Sequence, residues 1–427
     1  MIEVGIVVLL VFVVLALLRV PVFIALALPA MAYTLLYIDQ PVSFPIQRIL
    51  RTVDSFTLLA IPLFIYVGTL MNKGNVTSRI FKFADDVVGH LTGGLAQVNI
   101  FTSLIFSGIS GSALADIGGI GKVLIRTMTD HGYSKGFSAA LTSASATLGP
   151  LFPPSIPLIM FGLIAEVSVL SLLLAGALPA VVIGIFLMAG TAVVAYVRDF
   201  PTESTRSPMS KIARSFVIAL PALLTPVVLV GGMLGGYFGP TEAAGVTVAY
   251  ILFINTFIYR LTDFRYIWDA ALETARTSGV ILLILGAAGL FAWVLSVEGV
   301  DQQFAELIFS LSDTPEVVML LVIIMLLILG LFLDPLAALV MVAPIVTPTL
   351  IQVGYDPVHI GVVTVYALMI GLITPPLGLS TFLAADIAET SVTDVFSSSI
   401  PFYLILLAGL FVIAFVPSIS LYILEFV

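Results

Sequence analysis

Two clusters of small, hydroxyl-bearing and ring-constrained residues interrupt an otherwise apolar chain. The first is Ser107, Gly108, Ser110, Gly111 and Ser112, with Asp116 just beyond. The second is Leu148, Gly149 and Pro150, followed by Pro153 and Pro154. Glycine and proline break helices. A break at membrane depth frees backbone N–H and C=O groups, which are costly unless they are buried in protein or line a cavity. Freed carbonyls and serine hydroxyls are the oxygen ligands that a hard cation such as Na+ prefers. These eight residues, Ser107 to Ser112 and Leu148 to Pro150, therefore make a candidate sodium site.

The pattern returns at a constant shift of 222 residues. It takes Gly108 to Gly330, Gly132-Tyr133 to Gly354-Tyr355, Gly149 to Gly371, Pro153-Pro154 to Pro375-Pro376 and Pro179 to Pro401. A repeat of shape-setting positions without a gap indicates an internal duplication. The second copy offers a second candidate sodium site: Gly330, Phe332 and Asp334 with Gly371, Thr374, Pro375 and Gly378. Small residues also permit close helix packing, so each single glycine or serine has a purely structural alternative. Half-helix N-termini favour anions. Ser143, Ser145 and Thr147 before the first break, Ser380 and Thr381 after the second, and Asp116 are candidates to meet a polar substrate. Serine and threonine also bond back to their own helices. Asp116 and Asp334 are functional candidates as intramembrane carboxylates, or helix caps.

Positioning these residues requires a membrane architecture. Of 427 residues, 60% are hydrophobic and 10% charged, and the mean hydropathy is +1.21. Soluble chains carry about 25% charged residues. Apolar runs near the length that crosses ~30 Å of hydrocarbon fill most of the chain. Cysteine is absent, which excludes disulfides and thiolate metal sites. The start, Met1-Ile2-Glu3, lacks a basic stretch, so the first apolar run reads as a span rather than a cleaved signal.

The expected order is spans at 4–18 and 22–38, an interfacial helix over 39–54, a span at 57–71 and a surface helix after Lys73. A re-entrant hairpin over 94–128 then has its tip at 107–112. A span over 136–164 is broken at 149–154, and another covers 170–197. A hydrophilic linker, 198–214, divides the chain. Spans at 216–238 and 243–259, a surface segment at 260–276 and a span at 279–297 follow. An acidic segment occupies 298–316. A second hairpin over 317–350 has its tip at 330–335, a second broken span over 359–385 breaks at 371–378, and a last span covers 400–424.

All 16 lysines and arginines lie at or before Arg276, mostly within 73–90, 122–135, 198–214 and 260–276. By the positive-inside rule these segments are cytoplasmic. Hairpin one then opens inward. Hairpin two, flanked by Glu298, Asp301, Glu306, Asp313, Glu316 and Asp356, opens outward. Arg48 and Arg51 fall on the outer side, against the rule. Oppositely oriented repeats with broken helices are the architecture of secondary transporters. Two enzyme-like signals fail. Asp116 to Val123 lacks the first glycine and final Ser/Thr of a phosphate loop, so no ATP site is expected. Gly108-Ile109-Ser110-Gly111 has no histidine base at depth, because His90, His131 and His359 lie near span ends.

Gly111-Ser112-Ala113-Leu114-Ala115-Asp116, the run Leu148 to Ile159 and Ile373-Thr374-Pro375-Pro376-Leu377-Gly378, with the two halves, resemble the large membrane subunit of TRAP transporters (DctM/SiaM type) across the whole chain. The resemblance implies an all-α integral membrane protein of the inverted-repeat, elevator type, with two re-entrant hairpins and two discontinuous helices. Residues 1–197 would form one repeat, with scaffold over 1–93 and hairpin and broken helix over 94–197. Residues 215–427 would form the other, with scaffold over 215–316 and hairpin and broken helix over 317–427. It also implies a small four-helix membrane subunit, a periplasmic substrate-binding protein, a bacterial inner membrane and an organic acid, of sialic acid or C4-dicarboxylate type, with a lean to sialic acid. Nucleic acid has no place in it. The alternative is a divalent-anion/Na+ or proton-coupled carboxylate transporter that needs no binding protein. Importing a monoanion against an inside-negative potential costs ~2.3 kcal/mol per 100 mV. One Na+ cancels that charge and a second makes import favourable, so at least two sodium ions per monoanion are expected.

Overall fold

Proline, glycine and capping side chains partition the apolar runs into helices. The computed structural model describes residues 4–18, 20–38, 40–73, 76–198, 200, 206–261 and 263–426. The first three residues, Asp39 and most of the linker's first part (199 and 201–205) lie outside the described residues. No strand occurs among those described. The first half contains α1 (Val4–Leu17), α2 (Val22–Tyr37), α3 (Phe44–Val53), α4 (Ala60–Lys73), α5 (Val76–Val88), α6 (Leu95–Ser110), α7 (Ala113–Asp116), α8 (Lys122–Asp130), α9 (Lys135–Ala146), α10 (Ile156–Ile164) and α11 (Val169–Val197). The second contains α12 (Met209–Leu234), α13 (Pro240–Phe253), α14 (Phe264–Val297), α15 (Val300–Leu311), α16 (Pro315–Phe332), α17 (Pro335–Gln352), α18 (Pro357–Ile370), α19 (Leu379–Ala388), α20 (Val392–Phe415) and α21 (Ser418–Leu421). Seven of the described helices are long and apolar enough to cross a bilayer.

The repeat is written into local backbone geometry. Ser112 caps α7 by accepting from Ala115 N, and Asp334, 222 residues on, caps α17 by accepting from Leu336 N and Ala337 N. Gly132 and Gly354 share a left-handed conformation, with φ of 89° and 93°. The Pro153-Pro154 and Pro375-Pro376 bonds are both cis. Ser168 and Ser391 cap α11 and α20. Just before them Glu166 and Glu389 adopt positive φ, of 57° and 52°.

The helices fall into two packing groups. One holds α1–α5 with α12–α14, in which α14 lies against α2, α3 and α4, and α13 against α4. The other holds α6–α11 with α16–α21, in which α9 packs on α6, α19 and α20, and α18 on α16 and α17. Side-chain contacts also sort the connecting segments by face. Lys211 Nζ meets Asp86 Oδ1 at 2.7 Å and Lys135 Nζ donates to Glu389 O at 3.3 Å. These join segments that the charge rule places inside. Thr241 Oγ1 donates to Phe56 O at 3.0 Å and Gly5 N to Glu298 Oε2 at 3.2 Å, joining segments it places outside.

Several expected boundaries move. Residues 260–276 and 279–297 do not form a surface segment and a separate span: α14 is one helix of 34 residues. Its polar stretch, Asp269 to Arg276, is made of good helix formers without proline, so charge alone does not end it. The linker is shorter than 198–214, because α12 begins at Met209 behind Pro208. The outer limb of hairpin one is uneven: α7 passes through a π-turn, Ile117–Gly121, into α8. The first break is wider than 149–154, since α9 ends at Ala146 and α10 starts at Ile156. The last span starts earlier, at Val392, and ends at Phe415.

Candidate functional site

The hairpin tips meet the helix breaks. A Cβ on Gly111, whose φ is 62°, would sit 2.2 Å from Pro154 O. On Gly108 it would touch the Phe152 ring at 3.0 Å, and on Gly149 it would lie 2.9 Å from Asp116 Oδ2. The second tip does the same: a Cβ on Gly371 would lie 2.3 Å from Gly330 O. Only glycine allows backbone to approach backbone this closely.

At the first junction Asp116 is fully buried. Its Oδ1 accepts from Ser110 Oγ, and its Oδ2 has no hydrogen-bond partner. A buried carboxylate with an orphaned oxygen is costly unless a cation or a proton joins it. Ser110, Ser112, Gly149 and Asp116 thus converge on one point, so Asp116 joins the residues of the first candidate sodium site. Ser107 is turned away, donating to Ser103 O at 2.6 Å. Leu148 O already accepts from Leu151 N and Phe152 N, at 3.1 and 3.0 Å, and Pro150 O accepts from Ser155 Oγ.

The second junction holds no such carboxylate. Asp334 Oδ1 caps α17, accepting from Leu336 N at 3.0 Å and Ala337 N at 3.3 Å. Thr374 Oγ1 donates to Ile370 O at 2.7 Å, and Gly371 O accepts from Thr374 N at 3.2 Å. Gly378 is left-handed, with φ of 46°, and its Cα faces the Phe396 ring and Thr374 O. Phe332 and Pro375 are exposed. What gathers here is therefore Gly330, Gly371, Thr374 and Gly378.

Both tips look into a cavity of about 520 Å³ between the two packing groups. One wall carries Ser110, Ser112, Pro150 and Asp334, and the other carries Thr69, Glu273 and Thr277. The expected substrate hydroxyls are elsewhere. Ser143, Ser145, Thr147, Ser380 and Thr381 are all completely buried and do not line this cavity. Four of their hydroxyls bond neighbouring or own-helix acceptors, and that of Ser380 has no hydrogen-bond partner. Ser143 Oγ donates to Ser380 O at 3.2 Å. Ser145 Oγ donates to Asn99 Oδ1 at 2.9 Å, Thr147 Oγ1 to Ala144 O at 2.7 Å, and Thr381 Oγ1 to Ile373 O at 3.1 Å. Thr69, Glu273 and Thr277 carry no signal in one sequence beyond being polar residues on apolar helices.

Residues 9–419 match the family model of the tripartite ATP-independent periplasmic transporter, DctM component. The chain belongs to this DctM family. It is 38% identical over 404 residues, 94% of both chains, to the sialic acid TRAP transporter large permease protein SiaM of Vibrio cholerae. It is 35% identical to the C4-dicarboxylate TRAP transporter large permease protein DctM of Pseudomonas aeruginosa, covering 88% of this chain and 87% of that one. It is 37% identical over 390 residues to the sialic acid TRAP transporter permease protein SiaT of Haemophilus influenzae, covering 90% of this chain and spanning 63% of that longer permease. Among solved structures, the YdaH transporter of Alcanivorax borkumensis shares the fold, with a TM-score of 0.63 at 14% identity over 93% of this chain and 97% of that one. This DctM-family chain is thus a multi-pass membrane protein, and its tips and breaks are its candidate site.

Proposed function

We propose that this chain is the membrane permease of a Na+-coupled importer of an organic acid, of the sialic acid or C4-dicarboxylate type, working with a small membrane subunit and a periplasmic binding protein in a bacterial inner membrane. The relatives' names support the substrate class and the partners. SiaM of V. cholerae, the more similar of the two single-chain permeases compared, is named for sialic acid, which favours that acid. The observation that carries the coupling is the orphaned Asp116 Oδ2, buried against Gly149 where tip meets break. A Na+ there satisfies the carboxylate, ties hairpin to broken helix, and so orders the wall on which Ser110, Ser112 and Asp334 face the cavity. Substrate affinity then depends on the ion, which is what coupling requires.

The two packing groups serve as scaffold and moving body. The tips lie beside Glu273 to Ile281, the half of α14 next to Arg260, Arg265 and Arg276. The site therefore faces inward, and an elevator-like shift of the second group along α14 would present it outward. Uptake of labelled N-acetylneuraminate and succinate into proteoliposomes, with the partner subunit and binding protein added, tests this reading. Wild-type uptake is expected to need Na+, and Asp116→Asn is expected to abolish that need together with most of the uptake. A second reading has a proton on Asp116 as the coupled ion, because protonation also satisfies the burial. Uptake that follows pH and ignores Na+ would establish it in place of sodium.

A further inference from the structure

A second cavity, also of about 520 Å³, opens between α3, α14 and the α10–α11 connection, on the face opposite the basic loops. Its scaffold wall carries Arg48, Arg51, Thr52, Ser55 and Trp293, and its far wall carries Glu166. Arg48 Cζ stands 5.7 Å from the centre of the Trp293 ring. Among the described residues no carboxylate forms an ion pair with either arginine. Two like charges one helical turn apart are unfavourable in themselves, and both break the charge rule that the rest of the chain obeys. The adjoining cavity shares Glu166 and adds only Asp301 as a charged group. The repeat sharpens the comparison. A shift of 222 takes Arg51, Ser55 and Leu58 of this outer cavity to Glu273, Thr277 and Val280 of the inner one. Equivalent positions thus carry a cation at the outer mouth and a carboxylate at the inner mouth.

Resting on the transport reading above, we propose that Arg48 and Arg51 form an outer receiving site for the carboxylate of the organic acid, occupied before the acid reaches the tips. The arginines raise the local concentration of anions at the outer mouth. A small anion is favoured over an acidic protein surface because the residues line a recess between two helical bodies, of a volume usual for small-ligand sites.

The chain has no cysteine, so Ser55→Cys places one thiol in this cavity. Its labelling from outside by an anionic and a cationic methanethiosulfonate gives a rate ratio that needs no transport. The ratio is expected to favour the anionic reagent, to fall by about tenfold when Arg48→Gln and Arg51→Gln are added, and to shrink as salt shortens the ~10 Å screening length at 0.1 M. The charge-keeping pair Arg48→Lys and Arg51→Lys is expected to retain it, and Arg51→Gln alone, at an exposed position, serves if the double variant misfolds. N-acetylneuraminate or succinate is expected to slow labelling. A ratio indifferent to the arginines overturns the proposal. A ratio set by them but untouched by both acids overturns the organic-acid assignment, and protection by the binding protein alone would make the surface a protein interface instead. Failure of wild-type uptake would sink the transport reading and leave this measurement standing.

Discussion

Glycine at Gly111, Gly149 and Gly371 is a steric requirement that the neighbours impose. At Gly371 the neighbour is backbone: the Gly330 carbonyl occupies the place of a methyl group, and no side chain there can rotate away. Gly371→Ala is therefore expected to separate the second tip from its break. Overpacking of this kind costs about 1–3 kcal/mol, and a thermal unfolding midpoint measured in detergent should fall accordingly. An unchanged midpoint would mean that the two segments part without cost. The motif is recognisable because the positions that repeat set backbone shape, by close approach at Gly149 and Gly371 and by positive φ at Gly132 and Gly354. The residues that line the cavity from the scaffold, Thr69 and Thr277, obey no such constraint and were invisible for that reason.

Among the elements, α5 and α12 are pinned at Asp86. Asp86 has a fully buried side chain bonded to Lys211, and Ser207 Oγ donates to it at 3.3 Å. Burial pushes the Asp86 carboxyl up, but the bonds from Lys211, Ser215 and Ser207 and the Lys211 charge outweigh it and hold the group below its ordinary value. A depressed carboxyl contributes stability above its unfolded pKa of ~3.9, and that stability is lost as pH falls through the lower folded value. Lys211→Gln should then lower the unfolding midpoint at pH 7 and at pH 5, with the difference from wild type closing below about pH 4. A difference that persisted there would show that Lys211 acts through packing. This contact also ties the start of α12 to α5.

For the molecule as a whole, the proposed sodium coupling sets the charge that moves. With two Na+ and one monoanion the cycle carries one net positive charge inward, aided by ~2.3 kcal/mol per 100 mV. Proteoliposomes should therefore show an inward current with N-acetylneuraminate and a sigmoidal Na+ dependence. An electroneutral cycle with a hyperbolic Na+ dependence would leave a single coupled ion, and the Asp116 junction would be its place because only that junction holds an orphaned carboxylate oxygen.

Membrane embedding, the duplication and the paired interruptions are local or periodic properties, and the amino-acid order determines them by itself. Apolar runs must span, glycine and proline must break helices, and a 222-residue shift preserves both. Tertiary structure alone decided which polar groups face a partner across the break. Ser143, Ser145, Thr147 and Thr381 resemble substrate ligands in the chain, yet in the fold their hydroxyls bond neighbouring helices or their own, and Ser380 is buried beside them. Asp116 resembles a helix cap, yet it projects an unmatched oxygen towards Gly149. A hydroxyl or carboxylate acquires its role from the group that lies opposite, and residues hundreds of positions apart become opposite only when the two halves pack.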